Sequence, residues 1–422
     1  MAAVPEHASE AELIARISEL EQVKCTAAAG QARAAAAFEA ARRASEAAAG
    51  VPAAKRCRGV ASEIALARRD SPARGSRHLG FAKALVYEMP HTLAALQSGI
   101  LSEWRATLIV RESACLDVDD RRELDREMCA NAANLQGKGD FELTAAAKAI
   151  AYRKDPHAVV DRAAKAENDR TVTIRPAPDT MTWVSVLLPV ARGVGVYAAL
   201  RRAADTTFDG RSRGQVMADT VVERITGTPA AVPAPIAVNV VISDAALLGE
   251  QSDAAVIDGY GPIPAAVARN LITAALADRQ SWATLRRLYA RPATGALVAM
   301  ESRSRRFPPR HAQLNGLRDQ SCSTPYCDAP IRPPDHTQPH KRGGRTTAEN
   351  GVGSCEHCNY AKESPGWRVT ATNDNGRHTA EYLTPTGASY QSTAPPLPGY
   401  PRIEISEFEA AIGDALIHRH AA

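Results

Sequence analysis

Cys322-Ser-Thr-Pro-Tyr-Cys327, then Asp335-His336, then Cys355-Glu-His-Cys358-Asn359 is the stretch from which the rest of the chain can be understood. Two thiol pairs frame a loop, and 27 residues lie between Cys327 and Cys355, room for two strands and a turn. Four thiolates in two such pairs are what a tetrahedral zinc ion needs to fasten the ends of a small motif. A set of four sulfurs leaves no open coordination position, so zinc held by Cys322, Cys327, Cys355 and Cys358 is expected to be structural. Two disulfides or four idle thiols are the bland alternatives.

The polar residues inside the loop carry a different chemistry. His336 titrates near neutral pH and can accept a proton from water. Asp335 precedes it, and on a strand the two side chains are expected on opposite faces, one towards a metal and one towards the attacking water. Asn359 offers a carbonyl oxygen at the start of a helix, so Asp335 and Asn359 are candidate ligands for a hard cation, Mg²⁺ or Mn²⁺. Gly343-Gly344 permits a tight loop near a phosphate, and Asn350 can tie that loop by bonding backbone with its side chain. Lys341, Arg342, Arg345 and Lys362 are the expected contacts to nucleic acid. Between residues 301 and 345 stand nine Arg/Lys (303, 305, 306, 310, 318, 332, 341, 342 and 345) against four acids (301, 319, 328 and 335). Such a local excess suits a phosphate backbone, although a solvated basic face gives the same count.

Asp335-His336-Thr-Gln-Pro339, Gly343-Gly344-Arg-Thr346, Glu349-Asn350 and Cys355-Glu-His-Cys358-Asn359-Tyr-Ala-Lys362 together resemble the signature of HNH endonucleases. The resemblance implies a ββα-metal finger of the four-cysteine zinc type. It also implies His336 as general base, Asn350 as the structural middle residue, and Asp335 with Asn359 as ligands of the catalytic cation. Asn359 stands where the family often has His. Further segments, Arg58–Arg68, Leu187-Leu-Pro-Val190, Arg211–Asp219 and Thr384–Tyr390, are similar to a large actinobacterial family that includes mycobacterial repeat-element proteins. Its members join an N-terminal domain of unknown function to an HNH module. The activity implied is metal-dependent hydrolysis of DNA phosphodiesters, leaving 5′-phosphate and 3′-hydroxyl ends. A zinc-stabilised DNA-binding or assembly protein with a vestigial finger is the alternative. RNA stays open as a substrate, although 5% aromatic content gives few platforms for stacking unpaired bases.

Around this module the chain reads as α+β and mostly helical. A length of 422 residues and 45% hydrophobic content suggest two or three domains with real cores. The expected division is an alanine-rich helix at 1–52, a helical and α+β domain at 53–306, the HNH module at 307–367 and a hairpin with a terminal helix at 368–422. Ser9 and Glu12 form a capping-box pattern ahead of Leu13, Ile17 and Leu20 at helical spacing. The alanine-rich helix could pack on its own domain or on a second copy, which makes a homodimer one option. Pro90 to Leu108 reads as helix, turn, helix, more simply two core helices than a DNA reader. Thr171–Arg175 and Ala237–Ile242 read as strands, with helices at Val190–Ala204, Ser212–Thr226 and from Pro264 to about Asp278. Trp183–Leu200, the longest apolar stretch, reads as buried helix because Pro189 and Arg192 break it as a membrane span. Hairpins are expected at Leu285–Met300 and around Asn373-Asp-Asn-Gly376, and a capped helix from Ser406 through Leu416. The first residues lack an apolar core of the secretory kind. Cys25, Cys57, Cys115 and Cys129 are scattered singly, as suits a reducing cytoplasm.

Overall fold

Ser9 opens the first helix with a reciprocal cap: its backbone N–H donates to Glu12, and Glu12 N–H donates to the Ser9 hydroxyl. In this computed structural model, described over residues 7–230, 240–243, 246–247, 252–257, 260–277, 309–332, 334–374 and 377–397, that helix is α1, Glu10–Ala48. Internal packing divides the chain into two units with a boundary at Ala166/Glu167, residues 363–365 grouping with the first.

The first unit is a helical bundle. After α1 come α2 (Val60–Ala67), α3 (Gly75–Tyr87), α4 (Pro90–Gln97), α5 (Glu103–Ser113), α6 (Val118–Cys129), α7 (Asp140–Lys154) and α8 (Pro156–Ala166). The stripe Cys25, Ala28, Ala29, Ala32 and Ala36 is the buried face of α1, which packs on α3 and α4. Small side chains let the helix axes approach, so α1 shares one core with Phe81, Leu85, Leu96, Ile109, Leu124 and Leu143. Leu13 and Ile17, at helical spacing near the start of α1, are exposed. Helices α4 and α5 bury Leu93, Leu96, Leu108 and Ile109, as core helices do. Met89 cannot cap α4 with its side chain. Asp125 of α6, fully buried, does so from a distance, accepting from the N–H groups of His91 and Thr92 and from the Thr92 hydroxyl. Desolvation pushes the Cys129 thiol up to about 11, which leaves it a packing group rather than a nucleophile.

In the second unit, β1 (Thr171–Pro176) and β2 (Thr182–Leu187) form an antiparallel hairpin with Thr171 opposite Leu187. The expectation of one buried helix across Trp183–Leu200 is therefore corrected. Its first part is strand, and Trp183 is 56% exposed. The β-branched residues Val184 and Val186 favour extended backbone, and Pro189 ends the strand segment and starts α9 (Val190–Thr206). Helix α10 (Arg213–Thr226) follows from a capping box at Ser212 and Gln215 and stops at Gly227. A small sheet in the order β3 (Val240–Val241), β4 (Ala255–Ile257), β5 (Gly261–Ile263) packs Ala255 and Ile263 against Ala268 of α11 (Ala265–Ala277). The hairpin expected at 285–300, the helix expected from Ser406 and the boundary at Phe307 lie outside the described residues.

The cysteine module comprises α12 (Pro309–Asp319), the two-stranded ribbon of β6 (Pro334–His336) and β7 (Gly351–Gly353), and α13 (Glu356–Lys362). It is followed by a three-stranded antiparallel sheet in which β9 (Arg377–Leu383) lies between β8 (Arg368–Asp374) and β10 (Ser389–Thr393). Val352 of β7 sits fully buried in one cluster with Val369, Ala380 and Tyr382, so module and sheet share a core. The sequence foretold the β8–β9 hairpin but not β10. Among the described residues, no helix is long and apolar enough to cross a membrane.

Candidate active site

The turn after α12 brings the first thiol pair to the ribbon. Cys322 N–H donates to Ala329 O at 2.9 Å, and Ser323 N–H donates to Gly353 O at 2.8 Å. Cys358 N–H points at the Cys355 sulfur, 3.4 Å away, the backbone-to-thiolate bond that a metal knuckle makes. All four sulfurs are buried and lie within 4.8 Å of one another. The separations Cys327–Cys355 and Cys327–Cys358 are 3.8 and 3.6 Å, far beyond a disulfide bond. A tetrahedron with metal–sulfur bonds of about 2.3 Å has edges of about 3.8 Å. The cluster thus has the dimensions of a zinc site, whose charge would hold four thiolates this close together.

Arg318 and Asp319 hold the ribbon from below. Their side chains pair at 2.6 and 2.8 Å, Arg318 donates to Gly351 O, and Gly353 N–H donates to Asp319. Both are buried. Arg318, counted above among the cations facing phosphate, is instead an internal brace, because β7 leaves backbone groups that only a buried pair can satisfy.

His336 closes β6 opposite Gly351 and is buried. Its Nε2 lies 2.8 Å from the Thr346 hydroxyl, and its Nδ1 lies 3.7 Å from Asp335 Oδ1. With the proton on Nε2, the Thr346 bond fixes the ring and leaves the basic lone pair on Nδ1. Burial lowers the proton affinity of His336 below the ordinary imidazole value despite the opposing pull of Asp335, which favours the neutral ring. The opposite-face expectation for Asp335 and His336 does not describe the side-chain ends. Strand alternation directs Cβ, whereas the carboxylate beyond it is drawn by its partners. Burial acts to raise the Asp335 carboxyl, but the charge and hydrogen bond of Lys362 outweigh it and hold the group below the usual carboxylate range.

Lys362 is the clearest departure from expectation. Its side chain is 3% exposed, with Nζ 2.7 Å from Asp335 Oδ2, and it donates to the His336 carbonyl. A lysine buried this deeply needs a carboxylate partner, so it faces β6 and not a phosphate backbone. One turn earlier on the same face of α13, Asn359 has its Oδ1 buried with no hydrogen-bond partner among the described residues. An amide oxygen left so costs about 1–3 kcal/mol, and an oxygen-seeking cation would satisfy it.

The loop between the strands is built on Asn350. Its Oδ1 accepts from Gln338 N–H and the Thr337 hydroxyl, and its Nδ2 donates to the carbonyls of Gln338 and Arg345. Gly343 has φ +86°, a left-handed conformation that glycine adopts freely. A Cβ on Gly344 would stand 1.9 Å from Gln338 O and 2.9 Å from Asn350 Nδ2, so no side chain fits there. Lys341, Arg342 and Arg345 lie exposed along this loop. His340 sets its ring edge-on to His336 with centroids 6.0 Å apart. Thr346, which orients the histidine, stands in the Gly343-Gly344-Arg-Thr346 stretch of the signature, where the sequence assigned it no role of its own.

A family model described as "Domain of unknown function (DUF222)" matches residues 19–300. The chain belongs to the DUF222 family. A second model, described as "HNH endonuclease", matches residues 322–364 of this DUF222 protein, a span that contains the four cysteines, Asp335, His336, Asn350, Asn359 and Lys362. No curated protein and no solved structure matches the chain. The DUF222 protein therefore carries an HNH endonuclease domain, with a four-cysteine cluster that fits structural zinc, after a mostly helical N-terminal domain.

Proposed function

We propose that this DUF222 protein is a metal-dependent endonuclease that hydrolyses DNA phosphodiester bonds with His336 as the general base. The observation that carries the reading is an oriented imidazole beside an ionised carboxylate on β6, with a buried amide oxygen, unpartnered among the described residues, on α13 one turn before the lysine that binds that carboxylate. Asp335 and Asn359 would hold Mg²⁺ or Mn²⁺. A divalent cation there supplies positive charge for the oxygens of the scissile phosphate and for the leaving 3′-oxygen. His336 takes a proton from the attacking water as the phosphorus–O3′ bond breaks, and protonation of O3′ completes a 3′-hydroxyl and a 5′-phosphate. Exposed Lys341, Arg342 and Arg345 offer cations to the DNA backbone, which makes binding salt-dependent. None of the eight cysteines is joined in a disulfide, in keeping with a reducing compartment such as the cytoplasm.

Metal titration of three variants tests these roles. Asn359→Ala removes an oxygen that the metal-free fold leaves unsatisfied. Its melting temperature should hold or rise without divalent cation while nicking falls about 100-fold or more, with part of the activity restored in high Mn²⁺. Asp335→Ala should show the same rescue at lower stability, because Lys362 is then buried without its partner. His336→Ala should show none, since extra metal does not replace a base. Rescue of His336→Ala with Asp335→Ala inert would reverse the assignment of base and ligand.

A further inference from the structure

Asp335 has two carboxylate oxygens, and they are in different situations. Oδ2 is bound by the Lys362 ammonium at 2.7 Å, whereas Oδ1 faces the His336 ring. Lys362 is not free to leave. It also donates to the His336 carbonyl, and its helix is anchored one turn back through Cys358 in the sulfur cluster. From this geometry we propose that Lys362 is a positioning residue that sets the cation preference of the site, by occupying one oxygen of Asp335 so that only the other can ligate metal.

The inference rests on the endonuclease reading, because it assumes Asp335 is a metal ligand. Its chemistry is that of carboxylate denticity. Mg²⁺ takes six ligands in a tight octahedron, keeps several waters and is satisfied by one oxygen from a carboxylate. Ca²⁺ accepts six to eight oxygens and readily takes both oxygens of one carboxylate. A lysine fixed on Oδ2 therefore withholds from Ca²⁺ the extra ligand that would favour it, at little cost to Mg²⁺. Removing the lysine has two separable consequences. Loss of a nearby positive charge strengthens both cations alike, and release of Oδ2 strengthens Ca²⁺ further. A merely structural lysine would weaken or strengthen the two ions by the same factor.

The test is Mn²⁺ binding by the zinc-loaded full chain, read as loss of the free-ion electron paramagnetic resonance signal, with displacement by Mg²⁺ and by Ca²⁺. Wild type is compared with Lys362→Met and Lys362→Gln, the latter keeping a donor for the His336 carbonyl so that one variant holds the fold if the other does not. Zinc content and circular dichroism check each preparation. The expected result is a ratio of Ca²⁺ to Mg²⁺ affinity raised about tenfold in the variants. An unchanged ratio, or one shifted towards Mg²⁺, in a variant that retains zinc overturns this proposal and leaves the nuclease reading standing. Wild type that binds no cation beyond zinc overturns the nuclease reading and this proposal with it.

Discussion

His336→Ala is expected to slow DNA nicking by about 10²–10⁴-fold, the contribution typical of a positioned general base, while gel-shift affinity for the same DNA stays within about twofold. The separation follows from where the groups lie. His336 is buried at the end of β6, held by Thr346 and beside Asp335, whereas Lys341, Arg342 and Arg345 are exposed on the loop that follows. Phosphate affinity is spread over several cations and does not pass through one neutral ring. Truncation also empties a packed position, so some loss of stability accompanies it. Nicking rate, gel-shift affinity and zinc content are therefore measured on one preparation. Near-normal nicking by zinc-replete His336→Ala would remove the residue from the mechanism.

Cys355→Ser is expected to release zinc and unfold the module while the helical unit survives. Structural zinc sites contribute apparent binding energies of about 10–16 kcal/mol to folding, and Cys355 also accepts the Cys358 backbone bond that opens α13. Against that loss stands a small apolar cluster of Val352, Val369, Ala380 and Tyr382. The bundle up to Ala166 has its own continuous core and no part in the sulfur cluster. Limited proteolysis should cut within 309–374 and spare the bundle, with circular dichroism retaining most helical signal. A zinc-free variant that still resists protease across 309–374 would show that the metal is dispensable for the fold.

Features written in local chemistry were legible in the sequence. The spacing of the cysteine pairs foretells a four-sulfur cluster fit for zinc, the Ser9–Glu12 cap declares the start of α1, and Asn350 between two glycines and a strand declares a tied loop. Features decided by tertiary burial were not. Lys362 and Arg318 carry charges that are solvated by default; both are buried because carboxylates placed by the fold, Asp335 and Asp319, meet them. Leu13 and Ile17 have helical spacing yet are exposed, while the alanines further along α1 are buried, because proximity of α3 and α4 decides which turns of a long helix are covered. At β2, apolar content alone did not distinguish a helix from a strand. The alternation of Val184 and Val186 before Pro189 was the better signal.

The most direct measurement is nicking of supercoiled plasmid by the purified, zinc-loaded full chain in Mg²⁺, in Mn²⁺ and after removal of divalent cations other than zinc. Conversion to open circles is expected in Mg²⁺ or Mn²⁺, with none once those ions are removed, and the nicks should bear 5′-phosphate and 3′-hydroxyl ends that ligase reseals. Plasmid bound but left supercoiled in every metal condition, by protein that retains its zinc, would contradict the endonuclease reading.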